Sequence, residues 1–317
     1  MSDNIKKKVL LVGAGQMSID YVNVLKELEC DITIVGRGEK SADLFLEKTG
    51  IKPITGGLSK YLSANNEFFS TVIVAVSMEA LKSTTIELIN NNFKSILLEK
   101  PAGLNFEEIE ELANYAKKNN TEVFVAYNRR FYASVQKVKE IIEEDGGVTS
   151  FSFEFTEWSH VIEKLEKAPG VKENWFLANS THVVDLAFYL GGRPKEISCY
   201  TAGGLNWHPK ASIFSGAGIS ENGALFSYQA NWEAPGRWSV ELLTKRHRLI
   251  LRPLEKLQIQ NIGSVNTEFV EIDDKLDTQF KPGLYLQTEN FINNNLKPLF
   301  SIQEQLSNCK YYAKIIG

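Results

Sequence analysis

The sequence predicts an α/β protein in two parts. The first is a doubly wound parallel sheet. The second is an α+β part built on an open, mostly antiparallel sheet. Three observations predict this. Over the first 125 residues, short apolar runs alternate with stretches whose apolar side chains recur at helical spacing, the mark of βαβ units. Past residue 126 the strands alternate strictly between apolar and polar residues, as sheets with one wet face do. The 317 residues are 43% hydrophobic and 23% charged, enough for one large or two medium cores. The expected domains are 1–125 and 126–317.

Each element has its own justification. The run KVLLV (8–12) is a short apolar strand, and Ile19, Val22, Leu25 and Leu28 then fall every third residue, as on a helix face. DITIVG (31–36), STVIVAVS (70–77), SILLE (95–99) and EVFVAY (122–127) are the next strands. Helices are expected over 79–92 and 106–119, the latter with Asn105 as N-cap and Glu108 three residues on. In FSFEFTEW (151–158), Phe151, Phe153 and Phe155 share one face. In ALFSYQANW (224–232), Phe226, Tyr228 and Trp232 lie opposite Ser227, Gln229 and Asn231. WSVELLT and RLILRPLEKLQIQ continue the sheet, with helices at 131–144, 181–190 and 284–295.

The turn after the first strand reads Gly13-Ala14-Gly15-Gln16-Met17-Ser18. Strand, glycine turn and helix in this order suit a Rossmann dinucleotide site. The first glycine makes the tight turn, the second lets backbone approach a pyrophosphate, and the helix N-terminus favours its charge. Ser18 stands where a third glycine is usual. The second strand ends Val35-Gly36-Arg37-Gly38, without the acid that would hold the ribose hydroxyl of NAD. A guanidinium there matches the 2′-phosphate of NADP, with NAD still possible.

Bulk properties exclude other classes. A net charge of −4 without a basic block disfavours nucleic-acid binding. Cys30, Cys199 and Cys309 are scattered and odd in number, as free thiols of a reducing compartment are. Lys6-Lys7-Lys8 before an apolar run resembles a signal peptide, but the run is short and glycine interrupts it. No apolar run is long enough to span a bilayer, so no membrane partner and a cytoplasmic location are expected. His160, His208 and His247 show no metal-ligand spacing, and no metal is expected.

Two segments place chemistry at element ends. Glu99-Lys100-Pro101 closes a buried strand, where ligands of open parallel sheets bind; charge and proline also simply stop strands. In NWFLANSTHVVDLAFYLGG (174–192), Asn179, Ser180 or Thr181 is the expected N-cap. His182 then lies in the first turn, its cationic form disfavoured, with Asp185 one turn on. A buried histidine tying loop to helix is the alternative.

The order of these motifs continues through VAVSMEAL, LLEKPAGLNFEEIEELANYAKKNN, VAYNRRFYASVQKVKEII, STHVVDLAFYLGG and the closing FSIQEQLSNCKYYAKIIG. It resembles, nearly end to end, the glucose–fructose oxidoreductase / inositol dehydrogenase (Gfo/Idh/MocA) family. The resemblance implies an NAD(P)-dependent oxidoreductase acting on a sugar, cyclitol or related polyol. It implies Lys100 and His182 as catalytic groups, with Arg129 and Asn179 joining them around the substrate. Gly13, Gly15, Gln16, Met17, Arg37, Ala75, Val76, Ser77, Glu99, Lys100, Pro101, Asn128 and Arg129 would line the cofactor. Arg130 is the structural member of its pair. The Lys100–Pro101 bond is often cis in such proteins. Dimers or tetramers built on the second sheet are implied, with Glu154, Thr156, Gln229 and Asn231 on its polar face.

One departure stands out. The family pattern has an aspartate four residues before the histidine, and here that position is Ala178. Three readings follow: a conventional dehydrogenase, a cofactor-binding regulator without turnover, and redox chemistry on a tightly held, recycled cofactor.

Overall fold

A computed structural model describes residues 6–65 and 67–317 of the chain. The chain forms two compact units, each with its own sheet. In the first unit β1 (Lys8–Val12), β2 (Asp31–Val35), β3 (Thr71–Val74), β4 (Ser95–Leu98) and β5 (Glu122–Val125) run parallel. Helices α1 (Gln16–Glu27), α2 (Glu39–Thr49), α3 (Leu58–Ala64), α4 (Leu81–Asn90) and α5 (Phe106–Lys118) intervene. The order β5-β4-β3-β1-β2 makes the chain reverse direction across the sheet between β2 and β3. The crevice beyond the C-terminal ends of β1 and β3 is thus a topological switch point. After their first residues, Lys8 and Thr71, β1 and β3 are apolar and buried, as strands covered on both faces are. The start of α5 is capped as the sequence predicts: Glu108 N donates to Asn105 Oδ1 at 2.9 Å, and Leu104 N donates to Glu108 Oε2 at 2.8 Å.

The second unit takes up Asn128–Thr278 and the last ten residues, Asn308–Gly317. It contains α6 (Ala133–Glu144), β6 (Ser150–Glu154), a short α7 (Ser159–Ile162) and α8 (Thr181–Gly191). Then follow β7 (Pro194–Ala202), β8 (Ile213–Ser220), β9 (Leu225–Asn231), β10 (Ser239–Leu243), β11 (His247–Leu251), β12 (Gln258–Asn261), β13 (Glu268–Phe269) and α9 (Lys275–Gln279). The eight strands order as β13-β12-β11-β10-β6-β9-β8-β7, antiparallel except for the β6–β9 pair. The inward aromatics stack across that pair, Phe151 on Phe226 at 5.2 Å and Phe153 on Tyr228 at 5.3 Å. Phe188 of α8 meets three of these rings edge-on. A Cβ at Gly191 would lie 2.4 Å from the Phe151 ring, so the helix end rests directly on the sheet. Thr156, expected on the polar face, is instead buried: the strand ends at Glu154, and Asn231 N donates to the Thr156 hydroxyl at 3.2 Å.

The last segment returns to the first unit. Residues 279–307 cluster with it rather than with the second domain expected from residue 126 onward. There α10 (Leu284–Ile292) packs on α1, and β14 (Phe300–Ser301) adds an antiparallel edge to β5 before α11 (Ile302–Ile316). A two-residue edge strand has no periodicity for a sequence to display. No described helix is long and apolar enough to cross a membrane.

Candidate active site

In the first unit the glycine turn shapes a cavity of ≈ 530 Å³. Gly13, Gly15, Arg37, Ala75, Val76 and Ser77, six of the residues expected around a cofactor, line it. Gly13 has φ +124°, and a Cβ there would lie 2.3 Å from Ala75 O, so only glycine fits. A Cβ on Gly15 would meet no atom within 4 Å, which leaves that backbone open to a ligand. α1 begins with Gly15 as N-cap, with no side-chain cap and no acid in its first turn. Its first N–H groups thus remain as donors for an anion. Ser18 is fully buried, its hydroxyl donating to Ala75 O at 3.4 Å; it packs where a third glycine would allow close approach.

Arg37 is exposed in the wall of this cavity beyond the end of β2, where Ser41 also lines it. The nearest following acid, Glu39, does not line it and accepts a hydrogen bond from Thr55. The residues present fit a dinucleotide. Gln16 and Met17 lie outside the cavity wall. The Gln16 amide donates to Asp20 at 3.1 Å, and the Met17 sulfur faces the Lys281 ammonium. Sequence reasoning missed Ser41, Gly57, Ser59, Thr84 and Glu87 of the wall. The Gly56-Gly57 pair ahead of a helix was the available signal for one edge.

The Glu99-Lys100-Pro101 segment follows β4. Tyr21 donates to Glu99 Oε1 at 2.9 Å, and the buried Gln287 amide reaches the Tyr21 hydroxyl at 3.4 Å. Burial pushes the Glu99 carboxyl pKa up, while the Tyr21 hydroxyl and the charges of Lys100 and Lys281 oppose it. The Lys100–Pro101 bond is cis. Gln305, fully buried, donates to Pro101 O at 3.0 Å and to the Tyr127 hydroxyl at 3.2 Å. Ala102 then adopts φ +80°, a left-handed conformation unusual outside glycine. These bonds fix the backbone on both sides of Lys100, which is half-buried. Gln305 has no signal in the sequence short of knowing that its helix returns to this sheet.

In the second unit Asn128–Phe131 form a 3₁₀ turn. Arg130 makes a forked pair with Asp185, Nε to Oδ2 at 2.7 Å and Nη2 to Oδ1 at 2.6 Å, with side chains 8% and 1% exposed. Arg130 and Asp185 thus form a buried, forked ion pair. Asn128 is buried. Arg129 lies over the Trp238 ring at 4.8 Å, its pKa lowered by burial. His182 is 7% exposed, with its ring 6.1 Å from that of Trp238.

The start of the histidine helix corrects the sequence reading. The backbone is already helical through a π segment, Phe176–Ser180, so His182 lies inside a helical run and not in its first turn. The dipole argument for its neutrality does not apply. The expected caps have other partners. Thr181 donates back to Leu177 O at 2.9 Å. Asn179 and Ser180 both donate to Glu157, a buried carboxylate on the end of the neighbouring strand. Burial raises the Glu157 pKa, opposed by Ser180, Arg237 and Asn179. The sequence did carry a signal for Glu157: it has the same parity as Phe151, Phe153 and Phe155.

Comparison with known proteins fits this geometry. Residues 7–127 match a family model described as "Oxidoreductase family, NAD-binding Rossmann fold" (GFO_IDH_MocA). The first part of the chain is similar over that stretch to the NAD-binding domain of Gfo/Idh/MocA oxidoreductases. An uncharacterized oxidoreductase of Streptococcus pneumoniae is 23% identical over 199 residues, covering 59% of this chain and 51% of that protein. The match thus spans about half the length of that curated relative. Among solved structures, a levoglucosan dehydrogenase in complex with NADH and L-sorbose aligns at TM-score 0.77 and 16% identity, over 98% of this chain and 96% of the other. The WlbA dehydrogenase of Chromobacterium violaceum, with NADH and UDP-GlcNAcA, aligns at TM-score 0.73 and 18% identity, over 99% and 94%. An oxidoreductase of Agrobacterium radiobacter with NAD+ and L-tartaric acid aligns at TM-score 0.76 and 13% identity, over 98% and 94%. At these identities the likeness establishes the two-sheet fold.

Proposed function

We propose that this chain transfers a hydride between a nicotinamide dinucleotide, NADP ahead of NAD, and a hydroxyl-bearing or keto carbon of a sugar, cyclitol or sugar derivative. The observation that carries the reading is Lys100, fixed at the C-terminal end of a strand in a Gfo/Idh/MocA NAD-binding domain. Bound nicotinamide supplies the hydride acceptor or donor. In this reading Gly13, Gly15 and the α1 N-terminus hold the pyrophosphate, and Glu99 and Pro101 set the direction of Lys100. The Lys100 amine gives or takes the hydroxyl proton, and His182 is the second group assigned to the chemistry. Arg129, Asn128 and Asn179 serve the nicotinamide and the substrate. The relatives named above carry NAD(H); what favours NADP here is Arg37 and the absence of a wall acid at the end of β2. Ala178 favours the second reading, a regulator that binds cofactor without turnover. Reduced nicotinamide forming from NADP with D-glucose, myo-inositol, D-glucuronate or UDP-N-acetylglucosamine supports the enzyme. Tight dinucleotide binding with no reduction supports the regulator.

Arg37→Ala is expected to weaken NADP about 10-fold to 100-fold, the worth of a charge-assisted bond to phosphate, and to leave NAD nearly unchanged. Fluorescence titration with both reduced dinucleotides checks this. Equal losses for the two would mean that Arg37 does not meet the 2′-phosphate.

A further inference from the structure

We infer that Glu157 is the carboxylate that positions the substrate-binding groups of the second unit, acting through Asn179 and Arg237. The inference rests on the oxidoreductase reading above. The alternation that buries Phe155 continues past β6 and turns Glu157 inward, where its side chain is 1% exposed. A buried carboxylate needs donors around it. Asn179 Nδ2 donates to both of its oxygens at 3.1 and 3.0 Å, Ser180 Oγ donates at 2.8 Å, and Arg237 Nη1 lies at 3.5 Å. Both oxygens therefore have protein donors, and the role inferred for Glu157 is to orient those donors rather than to exchange a proton. It is a positioning residue.

What it positions is chemically specific. A carboxylate opposite Asn179 decides which end of that amide is nitrogen. The amide oxygen is then the end left to accept a bond from a substrate hydroxyl. Arg237 is held the same way, its guanidinium 4.4 Å from the Trp238 ring and 4.8 Å from the Trp158 ring. Trp238 in turn neighbours His182. One carboxylate therefore ties down Asn179, a helical turn before His182, and the arginine–tryptophan pair beside His182. Glu157 also forms part of the wall of a ≈ 580 Å³ cavity with Trp158, Trp232 and Gly236, so this frame borders open space.

The test uses the full chain with NADP and the fastest-turned-over of D-glucose, myo-inositol, D-glucuronate and UDP-N-acetylglucosamine. Glu157→Gln sets an amide nitrogen against that of Asn179 and turns the Asn179 oxygen inward. KM for the sugar is expected to rise about 10-fold to 100-fold, with kcat and NADP affinity little changed. Asn179→Leu should give a similar rise, and the double variant should be no worse than either single one. An unchanged KM in Glu157→Gln, or losses that add in full, overturns the inference. If Glu157→Gln does not fold, an unchanged KM in Asn179→Leu overturns it instead. Wild type that turns over none of the four compounds defeats the oxidoreductase reading and the inference with it. Turnover by wild type with unaltered variants defeats the inference alone.

Discussion

Lys100→Met is expected to slow turnover by about 10²–10⁴-fold, the usual worth of general acid–base help, with little change in NADP affinity. Methionine keeps the length of the side chain and removes the amine. The groups that fix the neighbouring backbone, Tyr21 through Glu99 and Gln305 through Pro101, are untouched. The pyrophosphate end of the cofactor would still meet Gly13, Gly15 and the open first turn of α1. Loss of rate with retained binding is the signature of an interaction made in the transition state. His182→Asn should also slow turnover. Steady-state rates beside a separate cofactor titration decide the matter. A Lys100→Met enzyme with wild-type rates would reduce Glu99-Lys100-Pro101 to a strand end.

Arg130→Met should destabilise the protein by about 3–5 kcal/mol, because it takes the forked guanidinium from the buried Asp185 carboxylate. At the size of the second unit this lowers the midpoint of thermal unfolding by about 10 °C. Arg130→Met with Asp185→Leu should recover much of the loss, since removing both partners spares the desolvation of a lone charge. Calorimetry on the three proteins checks the sign. A single variant as stable as wild type would mean that the forked pair contributes nothing.

What could be read from the sequence follows from how strongly burial constrains it. β1, β3 and β4 are covered on both faces and had to be apolar. Phe151, Phe153 and Phe155 line a one-sided sheet and had to alternate. Gly13 was legible because no other residue fits its turn. Elements under weaker constraint were missed. α2 buries only Ala42, Phe45 and Thr49, too few to show a period. β8 reads IFSGAGIS, where small residues hide the alternation. The π segment before α8 has no sequence pattern of its own, so the start of that helix was placed too late. In the site, Arg37 and Lys100 were visible because charge at a strand end is conspicuous. Gln305 was not, because it works through the distant Pro101 and Tyr127, and Glu157 offered only its parity with Phe151, Phe153 and Phe155, its partners Asn179 and Ser180 being distant in sequence.

The central claim is hydride transfer from a carbinol carbon to nicotinamide, and isotope transfer tests it most directly. The sugar that is turned over is prepared with deuterium on each carbinol carbon in turn and incubated with the wild-type chain and NADP. The nicotinamide is then recovered for mass spectrometry. One labelled position should deliver a single deuterium to the reduced cofactor. Substrate converted from every labelled form, with no deuterium reaching the cofactor, would contradict the account.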